Sequence, residues 1–417
     1  MNYVMYAIPF FIAAMAAEYL YGRARGNDTY RHHHTLNSLQ LGTLSRLAGV
    51  LKIGIGGLVY GALTNGYTLF RLDGDAVAVW IAAFVGYDFC YYWAHRYGHQ
   101  WRLLWASHVA HHQSEEFNLS TALRQTSTGY LSFVFYIPLY VLGFPAELLV
   151  SVGSLNLIYQ FWVHTEHIRR LGPLEWVLVT PSNHRVHHAR NPEYIDRNYG
   201  GVFILWDRLF GTFKDEDPTR PCVYGITRQL GSFNPLWANA HVYWEGLQDM
   251  VRTRHWGDKL RLWVEGPGWR PRDLRNEPKP DWRAAKYDPK VSAAIGGYCF
   301  AQYWLVTAAS LTLLFADLPR TLVLASAALL AFSFYVQGAA LEGRRYATQL
   351  EIARLAAVTA LAWYGSSAWG AEFATGLTAY ALLSLPLTLW AAAKPSANLD
   401  SAPGETPAQT ARLKPAD

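Results

Sequence analysis

Phe89-Cys90-Tyr91-Tyr92-Trp93-Ala94-His95-Arg96-Tyr97-Gly98-His99 closes an apolar run that opens at Ala76. The run, 76–93, has the length a helix needs to cross a hydrocarbon core of about 30 Å. It passes directly into two histidines four residues apart, which a helix stacks on one face. The fold is read outward from this element, a membrane helix that delivers imidazoles at its end.

Other stretches of similar length lie on both sides of it. Toward the N-terminus they are 3–21, 47–63 and a longer run, 129–163, which Gly143, Phe144 and Pro145 interrupt so that it reads as a hairpin. Toward the C-terminus they are 293–318, 321–343, 351–369 and 376–393, giving about nine spans by the length criterion. Residues 165–292, rich in Arg, Asp, Glu, Pro and Trp, cannot cross lipid and read as a solvent-facing or interfacial cap. The expected fold is an all-α integral membrane bundle. A membrane-embedded catalytic domain would occupy 1–292, including a cytosolic helical cap over about 164–292. Additional transmembrane helices would fill 293–394, and a disordered tail 395–417.

Composition agrees. Of 417 residues 51% are hydrophobic and only 16% charged, against about 25% charged in ordinary soluble domains. The 17 Trp and 26 Tyr suit aromatic belts at bilayer interfaces. The net charge of +5 comes from scattered arginines rather than a basic tract, which argues against a nucleic-acid partner. Residues 1–20 are apolar but lack the positive start of a secretory signal, so they read as a retained anchor helix. Cys90, Cys222 and Cys299 are too far apart for a thiolate metal site. Arg23, Arg25, Arg31, Arg46, Arg96, Arg102, Arg344, Arg345 and Lys394 fall in alternate loops. The positive-inside bias then puts the N-terminus outside and every histidine cluster on the cytosolic side.

Eight histidines form three clusters: His95 and His99; His108, His111 and His112; His184, His187 and His188. If the 129–163 run goes out through the bilayer and returns, the third cluster rejoins the first two at one membrane face. His164, which follows that run, arrives at the same depth as a ninth ligand. Imidazole suits Zn, Cu, Fe and Ni and disfavours Mg and Ca. Catalytic zinc takes three protein ligands and a water, so eight or nine histidines overfill one zinc site and suit a pair of irons that bind O2. Asp88, Glu115, Glu116 and Glu166 are candidate acceptors for ring N–H groups. Glu166, Gln100 and Asn118 are the candidate catalytic groups around the metals, and Trp162, Trp176 and Trp206 candidate walls of an apolar tunnel for a lipid chain drawn from the bilayer.

Other histidines read differently. His32, His33 and His34 are consecutive, point to different faces and suit solvent or headgroups. His241 and His255 are isolated and structural, whereas His167, three residues after His164, is undecided. The histidines also admit a metal transporter, but transport sites lie near the bilayer midplane, and these clusters sit at helix ends.

The three clusters resemble the histidine boxes of the fatty acid hydroxylase and sterol desaturase superfamily. The surrounding stretches Asp88 to Trp93, His111 to Gln125, Gln160 to Glu166 and Pro181 to Phe213 are most similar to the alkylglycerol monooxygenase family within it. That resemblance implies hydroxylation of the ether-linked carbon of an alkylglycerol, releasing a fatty aldehyde and a glycerol compound. It also implies a di-iron centre and tetrahydrobiopterin, or an electron-donor protein, as reductant. A sterol, carotenoid or fatty acyl hydroxylase or desaturase is the alternative within the superfamily. The membrane would be the inner or plasma membrane in a prokaryote and the endoplasmic reticulum in a eukaryote. At one position the chain departs from animal members, which carry glutamate directly after the first box where this chain has Gln100.

Overall fold

A computed structural model of the protein describes residues 3–27, 29–51, 61–62, 67–275 and 280–394. Among these the architecture is helical throughout, with two isolated antiparallel bridges, Leu178 to Phe203 and Ala189 to Tyr224, and no strand ladder. The chain forms two compact units, one of residues 1–231 with 235–286, the other of 232–234 with 287–417.

The first unit is organised by α1 (Val4–Ala24), α2 (His32–Leu47), α3 (Val77–Gln100) and α4 (Ala146–Trp162). α3 and α4 pack along each other through Ala83, Cys90, Leu148, Leu149 and Val152, with Leu139 and Phe144 closing the cluster. Gly153 permits that approach, because a Cβ there would lie 2.7 Å from the Tyr87 hydroxyl oxygen. α1 also lies on α4, with Phe11 stacked on Phe161 at 4.1 Å between centroids. The buried Glu18 of α1 accepts a hydrogen bond from the Leu119 N–H at 2.8 Å and another from the Tyr30 hydroxyl.

The 129–163 run is divided where the sequence indicates. A 3-10 turn (Ser132–Tyr136) and a short helix (Ile137–Leu142) stop at Gly143, whose φ of +94° only glycine adopts readily, and Pro145 precedes α4. α4, at 17 residues, extends about 26 Å, at the short end of lengths that cross a bilayer. Of the expected 3–21 span, residues 4–21 fall within α1. Most of the expected 47–63 span, and the 395–417 tail, lie outside the described residues.

In the cap region of this unit, α5 (Pro181–His188) is followed by α6 (Pro235–Arg252) and α7 (Trp256–Val264). The second unit is a bundle of α8 (Ala293–Phe315), α9 (Arg320–Leu341), α10 (Ala347–Tyr364) and α11 (Ala371–Ala392), each packed on its neighbour in sequence and α8 also on α11. A strongly polar interior point is Arg354, whose guanidinium donates to Glu351 at 2.7 and 2.6 Å, to Gln302 at 3.1 Å and to Tyr380 at 2.8 Å. With a carboxylate and two neutral acceptors around it, the buried cation is compensated. Among the described residues, four helices are long and apolar enough to cross a membrane, namely α3, α8, α9 and α11. The protein is thus a membrane protein.

Candidate metal centre

Histidines arrive at one place on four chain segments. His95 and His99 project from the last turns of α3, where the helix stops because Trp101 is extended, with φ −114° and ψ 124°. Arg102 fixes that break. Its N–H donates to the Glu265 carbonyl at 2.9 Å, and its guanidinium donates to Asp249 at 2.9 Å and to the carbonyls of Pro267 and Trp269 at 3.0 and 2.7 Å. The chain turns back through a short helix (Arg102–Ala106), so His108 comes to face His95 instead of lying three turns beyond it. The reversal is set by tertiary bonds to residues some 150 positions away.

His108 precedes a single turn, Val109–His112, that carries His111 and His112. His164 follows α4. α5 presents His184, His187 and His188 on spacings of three and four, and its start is specified locally: Pro181 occupies the first turn, and the Asn183 side chain accepts from the Thr180 N–H at 3.1 Å. Glu175 anchors the same corner by accepting from the hydroxyls of Thr180 and Ser182 at 3.0 and 2.8 Å.

The nine rings separate into two groups. His95, His99, His108, His112 and His187 form one, and His111, His164, His184 and His188 the other, with the ligand atoms of each group within 4.8 Å of one another. In the first group Nε2 of His108 lies 3.0 Å from Nε2 of both His95 and His112. In the second, Nε2 of His164 lies 3.3 Å from His111 and 3.0 Å from His184, which lies 3.1 Å from His188. Two bonds of about 2.1 Å at right angles hold their nitrogens about 3.0 Å apart, so these separations suit nitrogens that share a metal ion.

The opposite ring nitrogens settle which atom faces inward. Nδ1–H donates to a backbone carbonyl in four cases: His95 to Tyr199 at 2.8 Å, His111 to Arg124 at 2.9 Å, His164 to Gln160 at 2.7 Å and His187 to Arg197 at 3.0 Å. Each such bond fixes the tautomer that leaves Nε2 as a lone-pair donor. Nε2 of His99 and of His187 is buried with no hydrogen-bond partner among the described residues, a costly state for a polar atom unless something binds it. Burial pushes the His111 imidazole down to about 4, and burial together with neighbouring histidines holds His108, His112, His164, His184, His187 and His188 well below the usual range. Neutral imidazoles are the form that binds a transition metal.

The carbonyl acceptors come from loops whose importance the sequence did not advertise. Asp196 and Asn198 both have left-handed backbone, with φ of +59° and +56°, which Asp and Asn tolerate better than most residues. Between and beside them lie the carbonyls of Arg197 and Tyr199. Asn198 secures the bend through bonds to the Asn183 and Lys214 backbones at 2.8–3.0 Å. Asp88, an expected acceptor for ring N–H, instead accepts from Val202 N–H at 2.8 Å, Phe203 N–H at 3.0 Å, Asn156 at 2.7 Å and Trp206 at 3.0 Å. It therefore holds the loop that carries the Tyr199 carbonyl.

The other candidates are placed as follows. Glu116 is buried and pairs with Arg31 at 3.1 Å and Lys286 at 2.9 Å. Glu115 is buried beside Gly225, and Glu166 is exposed. Gln100 is the partly buried last residue of α3. Asn118 caps the turn Leu119–Ala122, accepting from Ser120 N–H at 3.0 Å and donating to the Thr29 carbonyl at 2.6 Å. His167 stays outside both groups, near the Thr29 hydroxyl at 3.3 Å and against Tyr21. His34 is buried in α2 rather than solvated.

The two groups have different surroundings. Phe117 covers the second, 5.2 Å from the His188 ring and 5.6 Å from His164, and Tyr224 stacks on Phe117 at 4.8 Å. The first opens on a cavity of about 960 Å³ whose wall includes His99, His112 and His187, with His188 of the second group, together with Arg102, Trp105 and Arg190. His241, read from sequence as structural, lines this cavity too, whereas Trp162, Trp176 and Trp206 do not.

Comparison with known proteins agrees with this geometry. The signature of the fatty acid hydroxylase family matches residues 80–212, which contain all nine histidines. The alkylglycerol monooxygenase of Danio rerio is 35% identical over 375 residues, 87% of this chain and 83% of that protein. That of Xenopus tropicalis is 37% identical over 335 residues, 78% of this chain and 74% of its own length. The human protein of the same name is 42% identical over 272 residues, 65% of this chain and 60% of its own length. No solved structure matches the chain.

Proposed function

The chain belongs to the alkylglycerol monooxygenase family, and from that premise we propose that it hydroxylates the ether-linked carbon of an alkylglycerol drawn from the membrane. The overall change takes R–CH2–O–R′, O2, two electrons and two protons to R–CH(OH)–O–R′ and water. The hemiacetal then separates into the aldehyde R–CHO and the alcohol R′–OH. The observation that carries the reading is the gathering of nine histidines, seven of them buried and His108 and His111 partly so, into groups of five and four, with adjacent Nε2 atoms 3.0–3.3 Å apart.

In this reading His95, His99, His108, His112 and His187 hold one iron, and His111, His164, His184 and His188 the other. Zinc has no redox chemistry and all-nitrogen sites disfavour Mg and Ca; among the redox metals that imidazole suits, iron is the one that membership of this oxygenase family implies. A bound iron pair supplies the activation of dioxygen that breaking an unactivated C–H bond requires.

The remaining work falls to the chain. The carbonyls of Tyr199, Arg124, Gln160 and Arg197 orient the rings, with Asp88 and Asn198 bracing the loop that offers two of them. Phe117, backed by Tyr224, covers the His164 side of the second group. The cavity beside the first group gives a polar reactant access from the aqueous side, and the metal centre faces the cytosol. Glu166, Gln100 and Asn118 act around the metals, with Asn118 positioning the turn after His112. Tetrahydrobiopterin is the reductant, and Gln100, standing where animal relatives carry glutamate, tunes its use.

Membranes containing the protein, given a 1-O-alkylglycerol and tetrahydrobiopterin, are expected to release fatty aldehyde in an iron-dependent manner. A hydroxylated lipid with its ether intact would move the reaction to another lipid hydroxylase of the superfamily, and absence of oxygen consumption would reject the oxygenase.

A further inference from the structure

α6 and α7 each carry two unlike faces. On α6 the buried side includes Ala238, Val242 and Asp249, while Leu236, Ala240, Trp244, Leu247 and Val251 recur at three- and four-residue steps on the exposed side. On α7 the buried residues are Asp258 and Leu262, and Trp256, Leu260 and Val264 form the opposite stripe. The exposure is large for apolar side chains: Val251 is 76% exposed, Trp256 82% and Leu260 77%. A contiguous apolar surface of this kind marks an interaction site.

Charge and position identify the partner. Between residues 251 and 265 there are four basic residues, Arg252, Arg254, Lys259 and Arg261, the last paired with Glu265 at 2.7 Å, and the other acidic residue, Asp258, is buried. Lys259 lies over the Trp256 ring at 5.2 Å, the pairing of an aromatic body with a cationic tip found at membrane interfaces. Both helices are fastened where α3 ends. Arg102, two residues beyond that apolar helix, bonds to the Glu265 carbonyl just after α7 and to Asp249 on α6. The end of a membrane-crossing helix lies at headgroup depth, so the exposed stripes lie there as well.

We propose that α6 and α7 form an in-plane platform whose apolar stripes rest in the headgroup region of an anionic bilayer. Arg252, Arg254 and Lys259 meet acidic lipid headgroups while Trp244, Trp256 and Leu260 enter the acyl boundary. The inward side of α6 places Trp237, His241 and Glu245 on the cavity next to the first histidine group, so a single helix separates the lipid surface from that cavity. The proposal rests on the chain being a membrane protein and is independent of the reaction assigned above.

The test uses the full chain in lipid nanodiscs, with a fluorescent label at Leu260→Cys in a Cys222→Ser background and a control label at the exposed Thr219→Cys. In discs containing phosphatidylglycerol, quenching of the Leu260 label by an aqueous nickel chelate is expected to be at least about fivefold weaker than that of the control, with strong quenching by shallow doxyl-labelled lipid. In phosphatidylcholine alone the protection is expected to decrease. Equal nickel access at both positions overturns the platform. Protection that appears only with two copies per disc overturns it in favour of a self-association surface, and protection indifferent to phosphatidylglycerol overturns the anionic assignment.

Discussion

His112 and His188 stack face to face, with centroids 4.4 Å apart and planes 22° from parallel, one ring from each group. The two nitrogen sets therefore share a wall, and loss of one ring reaches both. His112→Ala is expected to remove more than half of the bound iron, measured by plasma emission on purified protein with unchanged circular dichroism. Loss of half or less would show two independent sites.

His164 was placed among the ligands because it follows the returning hairpin, and its ring lies at the centre of the four-histidine group, near both His111 and His184. His164→Ala should leave the five-histidine group loaded and lower aldehyde release by about 100-fold or more. Iron per chain and turnover are read on the same sample. Undiminished turnover would strike His164 from the set.

Asp88 has no exposed surface and accepts four hydrogen bonds, three of them from residues 202–206. Asp88→Asn keeps the shape, removes the charge and turns one acceptor into a donor facing other donors. Bonds to a buried charge contribute strongly, so a loss of about 3 kcal/mol is expected. A lower unfolding temperature together with weaker iron retention would show that the bond network positions His95 through the Tyr199 carbonyl; a change in neither would remove Asp88 from that role.

Gly153→Ala tests the contact between α3 and α4. The added methyl would meet the Tyr87 ring at 2.8–3.0 Å and its hydroxyl at 2.7 Å, and overpacking of this kind costs about 1–3 kcal/mol. Thermal unfolding in detergent measures it. An unchanged midpoint would mean that the two helices can separate without penalty.

The sequence made the donor set legible because histidine spacing on a helix is a local property. His95 with His99, and His184 with His187 and His188, needed only the helical repeat. His164 was accessible through topology alone. The partition into five and four, which mixes members of different clusters, was not, because it depends on the chain reversing after Gln100, and that reversal depends on Arg102 finding Asp249 and the Pro267 and Trp269 carbonyls. The ring acceptors were misjudged for a related reason. Acidic side chains are visible in a sequence, whereas a backbone carbonyl belongs to every residue, and only the left-handed bends at Asp196 and Asn198 aim two of them at the metal centre. Of the expected spans, α3, α8, α9 and α11 are clear from continuous apolar length, while the 129–163 run was legible as interrupted but not as a turn, a short helix and a 17-residue helix.

Arg102 gives the molecule a mechanical property. One residue fastens the end of α3, which carries His95 and His99, to the segments that wall the adjoining cavity. A helix that spans lipid tilts when the hydrocarbon layer thins or thickens, at a cost that is small per ångström. With its end riveted in this way, α3 cannot tilt without carrying two imidazoles and the cavity wall along with it.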